Sequence, residues 1–192
     1  MTDALAARDV EALRVAVAAG ATPKFVHFWG HTPRGGAAVG EWVLSQWWPQ
    51  AFVVEGQTYP TAEHWMMAGK ARLFGDHEVL AEILAADDPG KIKALGRKVR
   101  GFDGPTWDAH RVQIVTEGNV HKFGQHEELR AYLSSTVGRV LVEASPRDRI
   151  WGIGLGRDHA DADRPAGWRG LNLLGFALMD VRDRLAATSP SS

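Results

Sequence analysis

The chain shows two rhythms of apolar and polar positions. From residue 3 to 19 apolar residues recur at helical spacing, with Leu5, Val10, Leu13 and Val17 roughly on one face, until Gly20 and Pro23 end the run. KFVHFW at 24–29 then reads as a strand, followed by the glycine-rich loop GHTPRGGAAVG. EWVLS and AFVVEG read as two more short strands, separated by QWWPQ. Helical spacing returns at 61–74, after Pro60-Thr61 and before Gly75, and again at 77–86. Asp88-Pro89 predicts a further helix to about Val99, because proline fits a first helical turn. After the loop GFDGP come helices over 105–117 and 125–136. VLVEAS and IWGIGL read as strands, and the loop GRDHADADRPAGWRG leads into a last helix over 172–186. Short strands mixed with helices, without strand–helix alternation or repeats, predict an α+β fold: one domain with a small sheet surrounded by helices. The expected divisions are an N-terminal accessory helix in 1–23, the main domain over 24–186 and a disordered tail at 187–192.

Composition narrows the function classes more than it names one. A chain of 192 residues with 45% hydrophobic and 23% charged positions suits a single globular core. The formal charge of −1 gives no general pull toward nucleic acid or membrane. No cysteine is present, which excludes disulfides, thiol catalysis and cysteine-bound metal. No apolar run is long enough for a membrane span or a signal-peptide core, so a soluble, cytoplasmic protein is expected. Eight tryptophans against two tyrosines suggest, beyond core packing, a site that stacks a flat ring.

The candidate chemistry begins in YPTAEHWMMAGKARLFG, 59–75. Glu63 and Lys70 are seven apart, so they lie on one face of a helix that is otherwise unusually apolar. Either they form a wet surface pair or they point into a pocket, and periodicity favours neither. KIKALGRKVR, 91–100, has five basic and no acidic residues around a buried stripe of Ile92, Leu95 and Val99. That is a solvated basic face, or an anchor for phosphates in which Arg97 is the best candidate. Glu143 and Asp148 bracket a loop at strand ends, where carboxylates serve as turn-formers or as catalytic groups. The histidines offer no metal-binding spacing, DHADAD lacks the spacing of a calcium loop, and no serine-nucleophile elbow or nucleotide-loop motif occurs; neither metal nor cofactor is assigned.

Taken in order, Phe28-Trp29, LSQWWP, YPTAEHWMMAGKA, Gly96-Arg97, Trp107, Lys122-Phe123 with HEELRAYL, Asp148 with Trp151-Gly152, and Trp168, Gly170, Asn172, Leu174 and Gly175 resemble the NADAR, or YbiA-like, family. The resemblance spans about residues 25–186 and leaves the N-terminal helix outside. It implies an N-glycosidic hydrolase that cleaves a bond between a ribose carbon and a nitrogen, in ADP-ribosylated guanine or in phosphorylated riboflavin-pathway intermediates. It implies Glu63, Lys70 and Asp148 as catalytic, and Phe28, Trp29, Arg97, Trp107, Trp151, Gly152 and Asn172 as substrate-binding. Riboflavin-type members tend to carry an acidic residue after Trp-Gly, whereas Ile153 stands here. The expected partner is a nucleotide-type small molecule or ADP-ribosylated DNA. A non-catalytic binder of NAD or ADP-ribose and a DNA-binding module built on 91–100 are the rival readings.

Overall fold

The computed structural model describes residues 3–33, 35–36 and 38–188. Its contacts group the chain into two compact units, one formed by Met1–Ser45 with Glu127–Ser192, the other by Gln46–His126.

The first unit is built on a parallel pair of strands, β1 (Lys24–Phe28) and β4 (Arg139–Glu143), with Val26 opposite Leu141 and Phe28 opposite Glu143. Val140, Leu141 and Val142 are all fully buried, the continuous apolar run expected of a strand covered on both faces. Helix α7 (Leu173–Ala187) packs on β4, and α6 (Glu127–Ser135) packs on α7. Helix α1 runs over Val10–Ala18, not from residue 3, because Asp9 caps it by accepting from Ala12 N. It seats Leu13 and Ala16 against a 3-10 turn at Pro165–Gly167, and Arg14 donates to Pro165 O and Trp168 O, each at 3.0 Å.

Two predicted strands in this unit take other forms. Glu41–Leu44 is a 3-10 turn; Trp42, Val43 and Leu44 are buried in succession, which a strand's alternation cannot provide. IWGIGL is a chain of bends. Gly152 has no room for a side chain, since a Cβ would lie 2.8 Å from Glu143 O, and Gly154 is left-handed at φ +68°. The expected disordered tail begins at Ala187, which ends α7, and Thr188, its cap; residues 189–192 lie outside the described residues.

The second unit is helical around α2 (Ala62–Leu73), which is contacted by α3 (His77–Leu84), α4 (Pro89–Gly96), α5 (Gly104–Gly124) and the hairpin strand β3 (Gln57–Tyr59). The hairpin pairs β3 with β2 (Phe52–Val54) across Glu55-Gly56, both at positive φ, the two-residue turn that follows strand twist. The sequence reading had one strand here and stopped α5 at residue 117. The helix continues through Gly118 because the Trp65 indole lies where a Cβ would be. Each of α3, α4 and α5 starts at an aspartate that caps it, Asp76, Asp88 and Asp103.

Candidate active site

Helix α2 carries the first two candidates, and its surroundings remove the wet-surface reading for Glu63. Thr61 caps the helix, and Ala62, Glu63, His64, Met66, Met67, Ala68 and Ala71 are all buried. The first turns of the helix are packed closely enough to keep water from Glu63. Glu63 is 3% exposed, and its backbone N–H donates to Gln46 O at 3.0 Å. That carbonyl satisfies one of the first-turn donors a helix leaves open. Gln46 is itself locked: its amide exchanges bonds of 3.2 and 3.3 Å with Asn119 on α5, and Asn119 donates to Val115 O at 2.8 Å. His64 is held neutral beside Glu63, its Nδ1 2.8 Å from Thr61 Oγ1 and its Nε2 3.0 Å from Ala86 O; burial moves its pKa down.

Two turns on, about 10 Å along the axis, Lys70 sits at the half-open end of the helix. Its Nζ donates to Gly96 O at 2.8 Å and lies 4.1 Å from the centroid of Phe102 and 5.8 Å from that of Trp107. Burial pushes its pKa below the ordinary lysine value. Gly96 makes this possible: any side chain there would overlap Met67, so glycine lets α4 close onto α2 and brings its carbonyl to the amine. Arg97 follows as the exposed C-terminal cap of α4, and among the described residues no ion pair involves it. Lys91, Lys93, Lys98 and Arg100 are exposed around the buried Ile92, Leu95 and Val99.

Sequence reasoning gave no chemical role to three residues in this unit. Lys122 on α5 is fully buried, and desolvation lowers its pKa to about 7. It lies one turn from Asn119, on the same side of the helix. Asn119 is the second, and Phe102 is the third, a large apolar ring left 49% exposed. A phenylalanine inside a Gly-Asp-Gly-Pro turn was the available signal for Phe102.

The remaining candidates lie in the other unit, where most of them bind backbone. Asp148 Oδ1 accepts from Ile150 N and Trp151 N, both at 2.8 Å, the local turn that aspartate favours. Asn172 is fully buried at φ +54°; its Oδ1 accepts from Glu143 N and its Nδ2 donates to Leu141 O, both at 2.9 Å. Gly152 O accepts from Asn172 N, Trp151 O accepts from Leu174 N, and Arg149 O accepts from Leu171 N, so 149–152 and 171–174 are laced together. Gly170 and Gly175 leave no room for a Cβ against Gly152 O and Leu141 O. Phe28 is 1% exposed and belongs to the core, while Trp29 beside it is 48% exposed and has surface for a ligand.

Among the described residues, no group of three or more histidines and carboxylates is placed to hold a metal. No described helix is long and apolar enough to cross a membrane.

Comparison with known proteins gives the lineage. Residues 27–186 match the NADAR domain family. An N-glycosidase of Acanthamoeba polyphaga mimivirus is 42% identical over 167 residues, covering 84% of this chain and 96% of that protein. The N-glycosidase YbiA of Escherichia coli is 34% identical over 139 residues, 72% of this chain and 77% of its own. The NMR structure of E. coli YbiA superposes with a TM-score of 0.69 at 28% identity, covering 87% of this chain and 88% of that one.

Proposed function

Because the chain belongs to the NADAR domain family and is an N-glycosidase, we propose that it cleaves the bond between ribose C1′ and a base nitrogen of ADP-ribosylated guanine in nucleic acid, without a metal ion. The observation that supports this most is on one helix: a fully buried carboxylate, Glu63, and a partly desolvated amine, Lys70, packed beside two aromatic rings. Cleavage builds positive charge on the ribose as the C1′–N electron pair leaves with the base. Glu63 is the group to stabilise that charge, because burial strengthens its field at short range. The base takes up a proton, and water adds to C1′. Lys70 acts either as a point charge on a ribose or phosphate oxygen, or as a nucleophile on the opened sugar aldehyde, forming an imine that water then releases. Trp107 is the ring for the base, and Arg97 a bidentate partner for phosphate.

Phosphorylated riboflavin-pathway intermediates are the second substrate class. The position after Trp-Gly is occupied by Ile153, which is fully buried and offers such a ligand no charge. The test is release of ADP-ribose from guanine-ADP-ribosylated DNA, followed by mass spectrometry, with a chelator and a riboflavin-intermediate assay in parallel. Release by wild type, unaffected by chelator and absent in Glu63→Gln, is the expected result. Turnover of the riboflavin intermediate alone would reassign the substrate, and full activity of Glu63→Gln would remove Glu63 from the chemistry.

A further inference from the structure

We propose that Phe102 is a specificity-determining residue, which with Trp107 forms an aromatic surface beside Lys70 on which the flat base of a ribosyl–N substrate stacks. The inference deepens the N-glycosidase reading by naming what recognises the leaving group, and it rests on that reading for the reaction it serves.

Exposure is the first observation. Phe102 is 49% exposed although it sits between two helices of a packed unit. Its ring meets Phe74 edge-on, centroids 5.3 Å apart, and takes the Lys70 ammonium at 4.1 Å. The rest of the ring is open.

Anchoring is the second. A greasy side chain on a slack loop would fold back onto the protein, but this loop is held on both sides of Phe102. Two residues before it, Arg100 donates to Asp76 three times, from its backbone N at 2.8 Å, Nε at 3.1 Å and Nη2 at 2.6 Å. Asp76 is itself buried and caps α3. Gly101 then turns the chain at φ +69°. One residue after Phe102, Asp103 caps α5 through Thr106 N at 2.8 Å and Oγ1 at 2.6 Å. The exposed ring is therefore pre-organised, which lowers the cost of using it to bind.

Surroundings are the third. Trp107, a turn into α5, faces the same amine at 5.8 Å, and Arg97, Lys98 and Arg100 are exposed in the same loop. An aromatic ring flanked by cations suits a base that carries a ribose phosphate.

Binding of guanosine 5′-monophosphate and of ribose 5-phosphate, measured by calorimetry, tests this without turnover. Phe102→Ala is expected to weaken the nucleotide roughly tenfold and leave ribose 5-phosphate unchanged. Phe102→Tyr restores the nucleotide, whereas Phe102→Leu, which keeps apolar packing on Phe74 without a ring, does not. Thermal midpoints of the variants confirm folding. Equal losses on both probes, no loss in Phe102→Ala, retention in Phe102→Leu, or failure of wild type to bind the nucleotide would each overturn the proposal. A wild type that binds the nucleotide with this pattern yet releases no base from any ribosyl–N substrate would sink the glycosidase reading and leave Phe102 standing.

Discussion

Helix α2 and the segment from Asp148 to Asn172 both carry residues that mark the family, and the two use them differently. In the segment, the polar groups of Asp148 and Asn172 are bound to backbone. Asp148 holds two amide N–H groups, and Asn172 ties the start of α7 to β4. Gly152 and Gly170 are places where backbone presses on backbone. Around α2 the ionisable groups are instead held where burial works against their charge: Lys70 and Lys122 are both shifted down by desolvation. A frame of satisfied hydrogen bonds contributes stability and geometry, whereas desolvated ions cost stability and gain reactivity. On the proposed function the chemistry lies around α2 and the segment 148–172 serves as frame, and each half of that reading is open to attack by substitution.

The largest effects should come from α2. Glu63→Gln is expected to lose roughly 10²- to 10³-fold in kcat with a near-normal thermal midpoint. Lys70 separates two mechanisms. If its amine is the nucleophile, Lys70→Arg is as inactive as Lys70→Met, and the wild-type rate rises with pH, levelling off below the ordinary lysine value of 10.5 because burial lowers the pKa. If it is a point charge, Lys70→Arg keeps much of the activity and the rate falls over the same pH range.

In the segment the same kind of substitution should register as stability. Asn172→Ala removes the acceptor of Glu143 N and the donor to Leu141 O and puts alanine at φ +54°. A loss of about 2–4 kcal/mol in unfolding free energy is expected, read by denaturant titration. Unchanged stability with abolished turnover would move Asn172 from frame to chemistry.

Much of this was legible in the sequence, for physical reasons that differ by element. The helices over 62–73 and 77–84 announced themselves by caps and spacing, and the 92–95–99 stripe by its period, because those signals are local. EWVL and IWGIGL failed as strands because three adjacent buried residues, or a glycine pressed against distant backbone beside a left-handed one, are set by what packs on them. Glu63 was visible as a carboxylate in an apolar helix, but its burial depends on α3, α4 and α5, which periodicity within α2 cannot report. Lys122 was visible only as half of the Lys122-Phe123 family match; the packing around α5 makes it a buried amine.

That buried amine gives a subtler test. The Lys122 pKa is about 7 in the folded chain against a reference of 10.5. Between those values the unfolded chain holds a proton that the folded one lacks, so stability should rise with pH from about 7 upward and be flat in this respect below it. Lys122→Met should flatten that slope in thermal midpoints measured from pH 7 to 9.5, the lowered pKa of Lys70 supplying what remains. An unchanged slope in Lys122→Met would mean that α5 carries no such desolvated charge.

The smallest expected effect bears hardest on the contrast. Asp148→Asn keeps an Oδ1 acceptor, so the bonds from Ile150 N and Trp151 N can persist. If Asp148 only shapes the turn, the variant stays within a few-fold of wild type in kcat and melts at the same temperature. Asp148→Ala then loses both stability and rate, because it removes the acceptor itself. Should Asp148→Asn instead fold normally and lose kcat about as far as Glu63→Gln does, the charge is what matters. Asp148 would then act on substrate through Oδ2, and the division between frame and chemistry would have to be redrawn with one carboxylate on each side of it.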